Sequence, residues 1–177
     1  GSSQLNITAT IAGYTMGSGG ASFIDISATG AAVSGIVGDD VEANITMPSF
    51  TFNGIAYTAA RVGSNGVLVL GATTLDVTNV NAALFSTANT AGNIFLAPWW
   101  DDLDNLSTSN VYTQQIGNTF IVQWNNWGHF SATVEGEIIT FQIQMDLSTG
   151  QIYFVYPDVN FDGGMAANNA GASATVG

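Results

Sequence analysis

The chain has 177 residues and carries 13 acidic side chains against a single lysine or arginine, which gives a formal net charge of -12. Hydrophobic residues make up 46% of it, so a chain of this length can bury a sizeable core, and we expect one domain spanning residues 1–177. The shortage of cations excludes nucleic acid as a partner, the absence of cysteine excludes disulfides and thiol chemistry, and the apolar runs are too short for membrane insertion.

The first half of the chain predicts short strands joined by tight turns. Two strands are expected around Gly30, at residues 21–27 and 31–37, and an acidic loop with Asp39 and Asp40 follows.

Two Asn-Gly pairs, at residues 53–54 and 65–66, predict hairpins because both positions of a type I′ turn need positive φ. They join residues 49–52 to 55–58 and residues 61–63 to 67–70. One short helix is predicted over residues 80–85, with Asn79 as its N-cap.

The second half alternates apolar and polar residues with a period of two, which is typical of strands with one buried face. Residues 111–114 and 119–127 form a predicted hairpin, residues 139–145 a further strand, and residues 151–156 another after a turn. The pattern predicts an all-β fold, an antiparallel β-sandwich of jelly-roll-like type with at most one or two short helices. The residues predicted to face inward are Phe120, Val122, Trp124, Phe141, Ile143, Met145, Ile152 and Phe154.

Residues 97–105, APWWDDLDN, run two indoles into three carboxylates. Tryptophan favours burial and aspartate avoids it, so this segment is predicted to leave the core and turn into an acidic loop. Three other motifs accompany it, GSNG at 63–66, QWNNW at 123–127 and TFQ at 140–142.

In this order, the motifs resemble the nidogen-like (NIDO-type) extracellular β domain of secreted and surface proteins from Bacteroidota-like bacteria, over roughly residues 23–176. The resemblance implies a secreted or surface-displayed module of adhesion or extracellular architecture, and does not imply an enzyme. It also implies that residues 172–177, ASATVG, begin a late core strand after which more chain follows.

Two acidic loops are candidate Ca²⁺ sites, because Ca²⁺ takes 6–8 oxygen ligands. The first offers four side chains: Asp101, Asp102, Asp104 and Asn105. In the alternative interpretation, these side chains cap a turn and face solvent.

The second loop offers Asp158, Asn160 and Asp162 in the D-x-N-x-D-G spacing of a calcium loop. Position twelve would be Asn169 rather than glutamate, so a full EF-hand is not supported. A third and weaker group is Asp39, Asp40 and Glu42.

Trp100, Trp127 and His129 are candidate ligand contacts, because indole rings can stack on sugars. The alternative places the tryptophans in the core, with Trp127 the best candidate for an exposed ring. Glu135 and Glu137 could form a glycosidase pair, but they straddle Gly136 at the start of a strand, where solvated charges are ordinary.

The sequence favours a non-catalytic extracellular adhesion or assembly module whose partners are other protein subunits or glycans. Self-association is expected through a strand edge that the last segment leaves open. Three alternatives remain: a carbohydrate-binding accessory module, a hydrolase using acids such as Asp101 or Glu137, and, last, an ice-binding surface.

Overall fold

The computed structural model describes residues 3–6, 17–82, 84, 93–130, 132, 137–161 and 163–177. Within these residues, ten strands form two antiparallel sheets. In chain order they are β1 (Ser3–Asn6), β2 (Ala31–Ala32), β3 (Glu42–Phe52), β4 (Ile55–Gly63), β5 (Val67–Leu70), β6 (Ile94–Leu96), β7 (Leu103–Ile116), β8 (Thr119–His129), β9 (Ile138–Asp146) and β10 (Ile152–Tyr156).

The larger sheet has the strand order β1-β10-β9-β8-β7-β2 and the smaller one β3-β4-β5-β6. Strands that follow one another in the chain therefore pair as neighbours, from β3 to β6 in one sheet and from β7 to β10 in the other. The predicted all-β sandwich is confirmed. Outside the strands, the described residues include a segment of 3-10 turns, Gly163–Gly171, which is interrupted by non-helical backbone at Asn169 and Ala170.

The main core lies between the two sheets. All eight side chains predicted to face inward are buried in it. Trp124 stacks on Phe141 with ring centroids 5.2 Å apart, and Trp99 packs on the same phenylalanine at 6.2 Å. Period-two alternation was enough to identify this face because successive strand residues point to opposite sides.

A second apolar cluster lies on the other face of the smaller sheet. Val67, Val69, Val77, Ala97 and Trp100 are buried there. All four residues of β5 are consequently buried, since the strand has a core on each face. This explains why its sequence is continuously apolar rather than alternating.

The polar face of the larger sheet is also covered. Alternation predicts that only the apolar face of such strands is buried, which would leave Gln142 facing solvent. Gln123, Gln142 and Gln144, here called the glutamine row, are all buried. Residues 18–30 cross them and are called the strap; they have no regular secondary structure as far as Ile26 and then form a turn. Its backbone bonds to the row at every second residue: Gln144 Nε2 donates to Ser22 O (2.8 Å), Gln142 Nε2 to Ile24 O (2.5 Å), and Ile26 N to Gln123 Oε1 (3.0 Å).

The strap corrects the strand predicted at residues 21–27, which forms no sheet ladder. The strand predicted at 31–37 is reduced to Ala31–Ala32. The helix predicted at 80–85 is absent from residues 80–82, and Leu84 lies in a turn, while residues 83 and 85 are outside the described ranges. Alternation alone does not distinguish a strap bonded by side chains from a strand bonded by backbone.

Both Asn-Gly hairpins form. Asn53 and Gly54 have φ of 50° and 78°, as a type I′ turn requires. The second turn differs, since Gly66 has φ of 73° whereas Asn65 is not left-handed, so the type I′ prediction is wrong there. The reason is that Gly63 pairs with Val67, so this loop has three residues and only the last of them, Gly66, takes the left-handed conformation.

Candidate functional site

The GSNG hairpin packs directly on the acidic segment at residues 97–105. The Asn65 amide nitrogen donates to Asp40 Oδ1 (2.7 Å), and its oxygen accepts from Leu103 N (3.0 Å). A Cβ on Gly66 would overlap the carbonyl oxygen of Trp99. The GSNG hairpin therefore fixes the backbone position of the acidic segment, which explains why the two motifs occur together.

Trp99 and Trp100 point to opposite faces of the smaller sheet. Trp99 lies in the main core, and Trp100 lies in the second cluster, where its indole N–H donates to Thr78 O (2.9 Å). Trp127 is also fully buried, and its N–H donates to Asn110 O (3.1 Å). The prediction that Trp127 is exposed is wrong, and neither Trp100 nor Trp127 offers a ring face to a ligand.

The C-terminal segment, residues 172–177, pairs antiparallel with the start of the acidic segment. Reciprocal backbone bonds join Ala97 to Gly177 (2.7 and 3.0 Å) and Trp100 to Thr175 (3.0 and 2.9 Å). These residues follow β6, an outer strand in the order of the smaller sheet. The pairing agrees with the expectation that ASATVG begins a late strand.

Asp101 is buried and joins three parts of the chain. Its Oδ2 accepts a hydrogen bond from Ser173 Oγ (2.5 Å), and its Oδ1 lies 3.6 Å from His129 Nε2. Asn168 Nδ2 approaches both partners, at 2.9 Å from Ser173 Oγ and 3.1 Å from His129 Nε2. The cluster links the end of β8 to the C-terminal part of the chain.

These contacts shift both titratable groups of the cluster. Burial by itself would raise the pKa of Asp101, but hydrogen bonds from His129 and Ser173 outweigh it and the pKa is lowered. The hydrogen bond to Asp101 raises the pKa of His129 against the opposing effect of burial. Each group therefore favours the charged form of the other, and His129 is a structural partner of Asp101 in this arrangement.

Asp102 turns away from this cluster toward Asp39 and Asp40. Oxygens of these three carboxylates lie within 4.8 Å of one another. Burial and the negative charges of Asp40, Asp39 and Asp101 raise the pKa of Asp102, against the opposing charge of His129. Its Oδ1 is buried with no hydrogen-bond partner among the described residues. A buried oxygen without a partner loses its hydration, which lowers the free energy of unfolding.

The predicted set Asp101, Asp102, Asp104 and Asn105 is thus not brought together as one group. Asp101 bonds to Ser173, and Asp104 Oδ1 accepts from the backbone N–H of Asn105 (2.7 Å). The acids that meet Asp102 come from the loop before β3, which was the weakest candidate in the sequence. Asp39 and Asp40 are far from Asp102 in the sequence, so spacing alone did not predict that the three carboxylates lie close together.

In the second acidic loop, Asp158 is exposed and its Oδ1 accepts from the backbone N–H of Asn160 (3.0 Å). This is an Asx-turn, in which an aspartate side chain bonds to the backbone two residues further along. Asp162 lies outside the described residues, as does Glu135. Glu137 is buried, and its Oε1 accepts from Gly164 N (2.5 Å), so it holds the start of the helical segment.

A family profile described as NIDO related matches residues 13–177, nearly the whole chain. The chain belongs to this family, and membership indicates an extracellular module. No curated protein and no solved structure matches it. Within the described residues, no helix has the length and apolarity needed to span a bilayer.

Proposed function

We propose that this domain is a secreted or surface-displayed contact module that acts in adhesion or extracellular assembly and performs no catalysis. Family membership supports an extracellular role. The observation that carries the assembly proposal is the pairing of the C-terminal segment with Ala97 and Trp100. Within one copy the segment fills this edge rather than leaving it open, so assembly would proceed by exchange: because the pairing uses backbone groups alone, the same segment can make it on another copy of the domain.

The Asp101 cluster supports a structural rather than a catalytic role. In a Ser-His-Asp triad, histidine is the base that contacts the serine, and the acid lies on the far side of the histidine. Here the acid lies between the other two, since Ser173 donates to Asp101 and His129 approaches the other oxygen of the same carboxylate. The Ser173 hydroxyl therefore donates its hydrogen bond to a carboxylate that is stabilised as an anion. Such an acceptor is a weak base, so the hydroxyl is not activated as a nucleophile.

A carbohydrate-binding role is the second candidate. Because Trp100 and Trp127 are buried, the aromatic contact for a sugar would have to come from another residue. Phe130 is 45% exposed, and it follows His129 at the acidic end of the sandwich. Its backbone N–H donates to Asp102 O (2.7 Å), which fixes the position of an exposed aromatic residue beside carboxylates. An exposed ring among hydrogen-bonding groups is the combination that a neutral glycan requires.

We also propose that a divalent cation, Ca²⁺ in particular, binds Asp102 together with Asp39 and Asp40. The proposal is supported by the proximity of the three carboxylates and by the buried Asp102 Oδ1 that lacks a hydrogen bond. Oxygen donors of this kind suit Ca²⁺.

Assembly is tested by light scattering as ionic strength increases, on the wild type, Thr175→Pro and Thr175→Val. Proline removes the N–H that donates to Trp100 O, whereas valine keeps it and preserves the shape of the side chain. We expect the wild type and Thr175→Val to associate more as salt screens the charge of -12, and Thr175→Pro to remain monomeric.

The assembly proposal is rejected if all three proteins are monomeric at every ionic strength, or if all three associate equally. Binding of monomeric protein to a glycan array, lost in Phe130→Ala, would favour the carbohydrate-binding candidate instead.

A further inference from the structure

The chain contains two Asn-Gly pairs whose surroundings differ sharply. Asn53-Gly54 forms the tip of the β3–β4 hairpin, and both residues are exposed. A Cβ placed on Gly54 would meet no atom within 4 Å, and the adjacent Ile55 is 57% exposed. The last cross-strand pair that holds this tip is Phe52 with Ile55.

Asn65-Gly66 has the same two residues in a closed environment. Asn65 is 1% exposed, and both ends of its side-chain amide are bonded, to Asp40 and to Leu103 N. Gly66 lies directly against Trp99 O. Rotation of the Asn65 side chain toward its own backbone would break both hydrogen bonds.

We propose that Asn53 is a site of spontaneous deamidation in the folded protein and that Asn65 is protected from the same reaction. The deprotonated backbone nitrogen of Gly54 attacks Cγ of Asn53 and forms a new C–N bond. The bond from Cγ to the side-chain nitrogen breaks, and the NH2 group takes up one proton from solvent and leaves as ammonia, which balances the proton lost from the Gly54 amide. Water then opens the five-membered imide at either carbonyl and produces aspartate or isoaspartate.

The structure explains why the reaction is selective. Glycine at the following position presents no side chain to the ring that forms, but both pairs share this advantage. The difference is the cost of reaching the reactive geometry. At Asn53, opening requires only the end of a hairpin to separate, which is among the cheapest local motions of a fold. At Asn65, it requires the loss of buried contacts that position residues 97–105.

The two products have different consequences for the hairpin. Aspartate is accepted at this position of a type I′ turn, so the hairpin is retained. In isoaspartate the peptide bond runs through the former side-chain carbon, which adds one atom to the main chain. The two-residue turn then no longer fits the backbone pairing between Phe52 and Ile55. Either product adds one negative charge to a protein that already carries -12.

The test is a time course at mildly alkaline pH on folded protein and on protein in denaturant, followed by peptide mass spectrometry and isoaspartate detection. In the folded protein we expect modification at Asn53 and none at Asn65 over the same period. In denaturant, both sites should react at similar rates because each is an Asn-Gly pair without its folded surroundings. Asn53→Gly, which retains the positive φ, is the matched control and should remove the folded-state signal.

The proposal is overturned if Asn65 reacts as fast as Asn53 in the folded protein. It is also overturned if Asn53 stays unmodified in the folded protein, whatever happens in denaturant.

Discussion

Asp101 and Asp102 are neighbours in the chain, yet their carboxylates meet different surroundings. Ser173 and His129 stabilise the charge on Asp101, which lowers its pKa despite burial. Asp102 instead faces Asp39 and Asp40, and one of its oxygens has no hydrogen bond. Of the two, Asp102 is therefore the residue that gains more from a cation.

Addition of Ca²⁺ should raise the midpoint of thermal unfolding relative to EDTA. A ligand that binds only the native state stabilises it by about 2.7 kcal/mol at a hundredfold excess over Kd. Asp102→Asn should abolish the shift and leave the calcium-free protein at least as stable, because it removes a repelled carboxylate.

Asp158→Asn is the matched control, since this exposed acid lies in the other candidate loop. It should retain the full calcium shift. Equal melting midpoints in calcium and EDTA would contradict the cation proposal, and loss of the shift in Asp158→Asn alone would contradict the choice of Asp102.

At the level of elements, the strap and the glutamine row are the feature that the sequence pattern described least well. Alternation correctly placed Phe141 and Ile143 in the core, because that face is apolar and periodic. The same alternation predicted that Gln142 faces water. It is buried because residues far away in the chain supply backbone groups that satisfy it.

Other differences have a similar cause. The turn residues identified both hairpins, since their conformational requirement is local. The helical segment Gly163–Gly171 and the joining of Asp101 to Ser173 depend on contacts between distant parts of the chain. Composition and spacing contain little information about such contacts. The motifs therefore pointed to the acidic segment, but not to the grouping of Asp102 with Asp39 and Asp40.

Gln142→Leu should destabilise the domain by about 1–3 kcal/mol, because buried donors and acceptors of the strap lose their partners. Gln142 bonds to both the N–H and the C=O of Ile24, and its amide nitrogen also donates to Gln123 Oε1. Chemical denaturation measures the change in free energy of unfolding.

Gln151→Leu provides the control, since Gln151 is exposed and surface changes are usually within about 0.5 kcal/mol. Equal stability of Gln142→Leu and the wild type would show that the strap is not held by the glutamine row.

At the scale of the whole molecule, the two sheets and the segments that cover them form a scaffold. The motif residues named here are buried in this scaffold and stabilise it. The buried indoles of Trp100, Trp124 and Trp127 each donate to a backbone carbonyl, and Asn65 ties the hairpin to the acidic segment. Such a scaffold presents loops and strand edges to a partner. Its high negative charge opposes self-association at low salt, so the proposed contact between copies should strengthen as ionic strength rises.

The most direct measurement of whether residues 172–177 form a strand is native-state amide hydrogen exchange at Ala97, Trp100, Thr175 and Gly177. These four amides donate to one another's carbonyl groups across the pair. They should exchange far more slowly than the amide of Gly54 in the exposed turn, and Thr175→Pro should accelerate exchange at Ala97 and Gly177. Exchange of all four in the wild type as fast as at Gly54 would contradict the pairing, and with it the proposal that the domain assembles through this edge.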